Sequence, residues 1–135
     1  MTLEELKQEL TKQPQPPGLK IVTLRRINGK AIVEMAASKD GAVKLAEAIS
    51  SGEALDKDAR YAAFRPLDVQ SVRALEREGA DLFSGKPSFD TMFLLVNRLW
   101  IAGDKSILED VMAVMTVGSQ LMGELNAYHA ELGNA

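Results

Sequence analysis

Few side chains in this chain could carry chemistry at neutral pH. It has no Cys and a single His, His129. A thiol nucleophile, a disulfide framework and a Cys-based zinc site are excluded, and so are two-His sites of the HExxH kind within one chain. His129 is the one group with an unperturbed pKa near neutrality. A catalytic role would need an acid or nucleophile in reach. Its helical neighbours Leu125, Asn126, Leu132 and Gly133 offer neither, so it reads as a helix-end His favouring the C-terminal dipole. No serine falls in a GxSxG or SxxK pattern. Ser84-Gly85-Lys86 lacks the upstream glycine, the Lys-Ser/Thr pair and the preceding strand of a phosphate loop. The carboxylates Glu109-Asp110 and Glu76/Glu78 are one and two residues apart and do not share a helix face. Asp56-Lys57-Asp58 opens like an EF-hand loop, but Tyr61 and Leu67 stand where positions 6 and 12 demand Gly and Glu. The residues therefore predict no catalytic group, no metal site and no cofactor, and the chain reads as a non-enzyme.

Two other features could bind a partner. The six methionines nearly equal the four Phe, two Tyr and one Trp together. Met92, Met112, Met115 and Met122 fall in the last two expected helices, beside Trp100. Methionine is flexible and polarizable, and it suits surfaces that accept varied apolar partners. The competing reading is gap-filling in a small core. The second feature is basic: Arg25-Arg26, with Lys20 and Lys30 nearby, on an expected hairpin. This allows an alternative, a small regulatory or nucleic-acid-binding module reading phosphate through those four residues. The lack of interleaved aromatics argues against nucleic acid. A strand edge that uses charge against aggregation fits better.

The elements that must position these residues follow from periodicity. A length of 135 residues fits one domain. The net charge is −3. Residues 1–65 carry 11 basic and 9 acidic groups, and residues 66–135 carry 5 and 10. No basic footprint of a nucleic-acid binder results. The N-terminus lacks a signal-peptide pattern. The longest apolar run, Met92–Val96, is far short of the ~20 residues of a membrane span. A soluble cytoplasmic protein is expected.

Leu3, Leu6 and Leu10 predict a helix over 2–12. Pro14-Gln15-Pro16-Pro17-Gly18 breaks it. Residues 1–18 are thus expected as a loosely attached helix and Pro-rich linker, with one globular domain over 19–135. Alternation over Leu19–Ile27, then Asn28-Gly29, then Lys30–Met35 predicts a β-hairpin with strands 20–27 and 30–35. Asp40 caps an expected helix over 41–50. Ala59–Phe64 reads as one helical turn or an edge strand. Asp68 caps a helix over 69–83, with Gly79 weakening its middle. Ser88 caps a helix running up to Gly103, whose stripe is Phe89, Met92, Phe93, Val96, Leu99 and Trp100. Asp104 caps a last helix over 105–131. There Val111, Met115, Gly118, Met122, Leu125, His129 and Leu132 form a heptad seam. The expected architecture is α+β and mainly helical, an N-terminal β-hairpin packed on four to five helices.

The order of elements resembles the tail assembly chaperones of long-tailed bacteriophages and prophages. The resemblance lies in the short basic strand region Ile21-Val22-Thr23-Leu24-Arg25-Arg26-Ile27-Asn28-Gly29-Lys30 and in the acidic, apolar-faced helices from Asp68 to Tyr128. It covers about residues 19–130, and its specificity is that of style and length. It implies a non-enzymatic holding role in the bacterial host cell. The partners it implies are the apolar helical segments of a tape-measure protein, then the tail tube protein, with self-association into homo-oligomers. The residues expected to meet such partners are Trp100, Met112, Met115 and Met122, with Arg25 and Arg26 on the basic strand.

Overall fold

Asn-Gly between two β-branched runs demands a two-residue turn, and the strands obey it. In this computed structural model β1 (Lys20–Ile27) and β2 (Lys30–Ala37) pair antiparallel with Ile27 opposite Lys30 and Lys20 opposite Ala37. The structure describes residues 2–27, 30–37, 59–83 and 88–133, with the backbone alone at 25–27, 30–34, 36, 37 and 124–133. The turn residues, the helix expected over 41–50, and the stretches Asp56-Lys57-Asp58 and Ser84-Gly85-Lys86 lie outside the described residues. As the sequence predicts, the protein is α+β with an N-terminal hairpin, and four α-helices occur among the described residues.

The chain divides into two compact units, Met1–Pro66 with Trp100–Ile107 and Leu67–Leu99 with Leu108–Ala135. The first is built on a four-stranded antiparallel sheet of order β2-β1-β3-β4. Residues 59–64, ambiguous in sequence, supply β3 (Arg60–Phe64), an interior strand paired to β1 with Thr23 opposite Tyr61. The edge strand β4 is Trp100–Gly103. This corrects the expectation that Trp100 and Ile101 continue a helix. The bonds of Ala63 to Ala102 and of Phe64 to Trp100 are made at long range, and helical periodicity carries no trace of them.

Gly103 makes that pairing possible. Its φ is +148°, and a Cβ there would stand 2.5 Å from both the Ala62 Cα and the Tyr61 carbonyl oxygen. Only glycine fits such a close backbone approach. The next residue clamps the corner. The Asp104 N–H donates to the Tyr61 carbonyl (2.8 Å), and the Tyr61 N–H donates to Asp104 Oδ2 (2.9 Å).

On one face of this sheet lies α1 (Leu3–Thr11). Thr2 caps it by accepting the Glu5 N–H. Leu6 and Leu10 are buried in a cluster with Leu19, Ile21, Tyr61 and Ala63. Each such leucine contributes about 1.5–3 kcal/mol, so α1 is an integral layer of its unit, where a loosely attached arm was expected. The proline segment folds back on it. The Gln15 side-chain amide donates to the carbonyls of Leu10 and Gln13.

The second unit holds α2 (Val69–Arg77), α3 (Phe89–Leu99) and α4 (Val111–Gly133). Asp68 caps α2 through the Ser71 N–H, but the helix stops six residues before its expected end. Gly79, at φ +93°, terminates it. The Ala80 N–H bonds to the Leu75 carbonyl and the Gly79 N–H to that of Glu76, with Leu75 and Ala80 both buried, which is a Schellman end. Ser88 caps α3 by accepting the Thr91 N–H. The buried Thr91 hydroxyl in turn accepts the Asp81 N–H.

The last helix is also shorter than expected. Asp104 starts a 3₁₀ turn, Lys105–Glu109. The cap of α4 is Asp110, whose Oδ1 accepts from the N–H groups of Met112 and Ala113. Where α3 meets α4, Gly118 lies against Met92. No helix among the described residues is long and apolar enough to cross a membrane.

Candidate functional site

Sequence reasoning offers Trp100 and three methionines as one apolar surface. The structure assigns them to different units. Trp100 belongs to the sheet unit, on β4, half-buried, with its ring edge-on to Phe64 at 5.6 Å and 87°. The methionines belong to the helical unit and divide by burial along α4. Met112 is 69 % exposed, Met115 is half-buried, and Met122 is buried, as is Met92 on α3. Met92 and Met122 are therefore core, and they leave Met112 and Met115 as the accessible pair.

The cause is the rotation of α4. Its buried positions run Ala113, Val114, Val117, Gly118, Leu121 and Met122. The expected seam beginning at Val111 is displaced from this row, and Val111 is 59 % exposed. The opposite face carries Met112, Ser119 and Gln120, all exposed, with Thr116 half-buried between them. The Thr116 and Ser119 hydroxyls donate to the carbonyls of Met112 and Met115. Those bonds satisfy the small polar groups within the helix.

Among the described residues, the exposed large apolar side chains are Val69, Phe83, Phe89, Val111 and Met112. All five belong to the helical unit. Val111 and Met112 open α4, and Phe89 opens α3 with its ring 6.0 Å from that of Phe93. Phe89 and Val111 read in sequence as part of a helical stripe and of a heptad seam. What reveals the first turn of α4 is the run of Thr116, Ser119 and Gln120 at offsets 4, 7 and 8 from Met112, the spacing of one helical face.

The basic hairpin fares differently. Arg25 and Arg26 lie on β1, opposite Ile32 and Ala31 of β2, and their side chains lie outside the described residues. Lys20 is only 4 % exposed, and burial lowers its pKa. Lys20 is thus a buried member of the sheet unit, whereas an exposed basic residue was expected; the Lys30 side chain, like those of Arg25 and Arg26, lies outside the described residues. His129 lies on α4 with its side chain outside the described residues. Among the described residues, no three His, Asp or Glu side chains stand close enough to hold a metal ion.

Comparison with protein-family models, curated proteins and solved structures finds no match.

Proposed function

We propose that this protein is a non-enzymatic protein-binding module, a tail assembly chaperone that holds apolar helical segments of a tape-measure protein in the cytoplasm of a bacterial host before tail tube subunits arrive. The observation that carries this reading is that, among the described residues, the five exposed large apolar side chains all lie in the helical unit. Met112 is the most exposed of them, and a flexible thioether adapts to partners of varied shape. A tape-measure segment presenting apolar residues at helical spacing would lie against Val111, Met112 and Met115 as a helix does in an apolar groove. Acidic groups outnumber basic ones two to one over residues 66–135. That charge keeps a unit with uncovered apolar side chains soluble.

Co-expression with the tape-measure gene product of the same locus tests the proposal. The expected result is co-purification and a gain in that partner's solubility. Both effects diminish in a Val111→Ser, Met112→Ser variant that folds normally. A tape-measure protein that neither co-purifies nor gains solubility overturns it.

A further inference from the structure

The helical unit is acidic, yet its arginines are not dispersed. Residues 66–135 contain five basic side chains: Arg73, Arg77, Lys86, Arg98 and Lys105. Three of them, Arg73, Arg77 and Arg98, line a recess of about 340 Å³ together with Gln70 and Ala74. Gln70, Arg73, Ala74 and Arg77 fall at offsets 0, 3, 4 and 7 along α2, one face of the helix. Arg98 comes from the last turn of α3.

Arg77 and Arg98 each complement the C-terminal dipole of their helix. That accounts for two positions. It does not account for Arg73 in the middle of α2, nor for three guanidinium groups around one hollow, which repel each other without an anion between them. One carboxylate stands at the rim: Glu78 Oε1 is 3.4 Å from Arg98 Nη1, an exposed and therefore weak pair. Arg73 and Arg77 make no ion pair or hydrogen bond among the described residues.

We propose that this recess binds a small soluble anion carrying phosphoryl groups, of the size and charge of a diphosphate. Three guanidiniums against one carboxylate leave a local charge of about +2, which a multiply charged oxyanion neutralises. Guanidinium presents its N–H groups in a planar fork that matches phosphate oxygens two at a time. The Gln70 amide adds a donor of the same reach. The volume lies at the small end of ordinary ligand pockets. The negative charge of the surrounding unit works against long polyanions, so a small ligand is favoured over nucleic acid. The site is independent of the apolar surface proposed above.

Inorganic pyrophosphate is the probe, titrated into the full-length protein by calorimetry at low salt, with citrate as the carboxylate arm. Saturable pyrophosphate binding is expected. Arg73→Gln and Arg77→Gln should each weaken it roughly tenfold. Glu78→Gln should tighten it severalfold by removing the competing carboxylate. Thermal melts and circular dichroism of each variant should match the parent, since all three positions are exposed. Pyrophosphate binding that survives both arginine substitutions overturns the site. Citrate binding in place of pyrophosphate overturns the phosphoryl assignment, and so does an absence of pyrophosphate binding.

Discussion

Adding one methyl group to α4 at two glycines should have opposite effects. At Gly123 a Cβ meets nothing within 4 Å. Gly123→Ala therefore gains helix propensity alone, about 1 kcal/mol. At Gly118 the same Cβ would lie 2.5 Å from Met92 Sδ, 3.2 Å from Met92 Cβ and 3.3 Å from Met92 Cγ. The sulfur can swing away, but the Met92 Cβ is fixed to α3, and Met92 is 1 % exposed, so no open space receives it. Overpacking of this kind costs about 1–3 kcal/mol. Set against the same propensity gain, Gly118→Ala should be destabilising by about 0–2 kcal/mol. The two variants should thus differ by roughly 1–3 kcal/mol, some 4–12 °C in midpoint for a domain of this size. Urea unfolding followed by circular dichroism measures it. In a Met92→Ala background the Sδ and Cγ contacts are gone and only the Cβ contact at 3.2 Å remains, so Gly118→Ala should cost markedly less, with a coupling energy of about 1 kcal/mol. Equal stabilisation by the two alanines, or no coupling to residue 92, would refute the close α3–α4 approach. The assignment of Met92 to the core would fall with it.

Gly103→Ala sets a methyl against the backbone of Ala62 and Tyr61, where no side chain can move aside. It should cost at least about 3 kcal/mol, the upper end of what single changes usually cost, and hydrogen exchange should show β4 detached. Asp68 accepts the Ser71 N–H, which lowers its pKa below 3.8. A lowered carboxylate pKa adds stability that is present above the unfolded value and lost as pH falls through the folded one. Asp68→Ala should therefore cost about 1 kcal/mol at pH 7, and its deficit in urea melts should shrink as the pH drops below about 4.

The parts of the fold that show in the sequence are the locally encoded ones. Asn28-Gly29 with alternating flanks specifies the hairpin, and Asp68 and Ser88 mark true helix starts because each cap is satisfied within three residues. What does not show depends on distant partners. Trp100–Gly103 continues an apolar helical stripe, and only pairing with Ala62–Phe64 makes it a strand. Asp104 has the look of a helix cap, yet its carboxylate accepts from Tyr61 across the sheet, and Asp110 caps α4. The candidate surface is visible as a composition and misplaced as a geometry. A heptad count begun at Val111 selects Met122, which is core, alongside Met115. One residue of helix rotation is about 100°, and that suffices to exchange Met112 for Met122 between surface and interior.

Hydrogen exchange on the complex with a tape-measure segment addresses the central claim most directly, because it reports where the partner sits. Binding at the exposed apolar side chains should slow exchange in the opening turns of α3 and α4, around Phe89 and from Val111 to Thr116, and leave β1 and β2 unchanged. Protection confined to the β1–β2 hairpin, with α3 and α4 unaltered, would contradict the account.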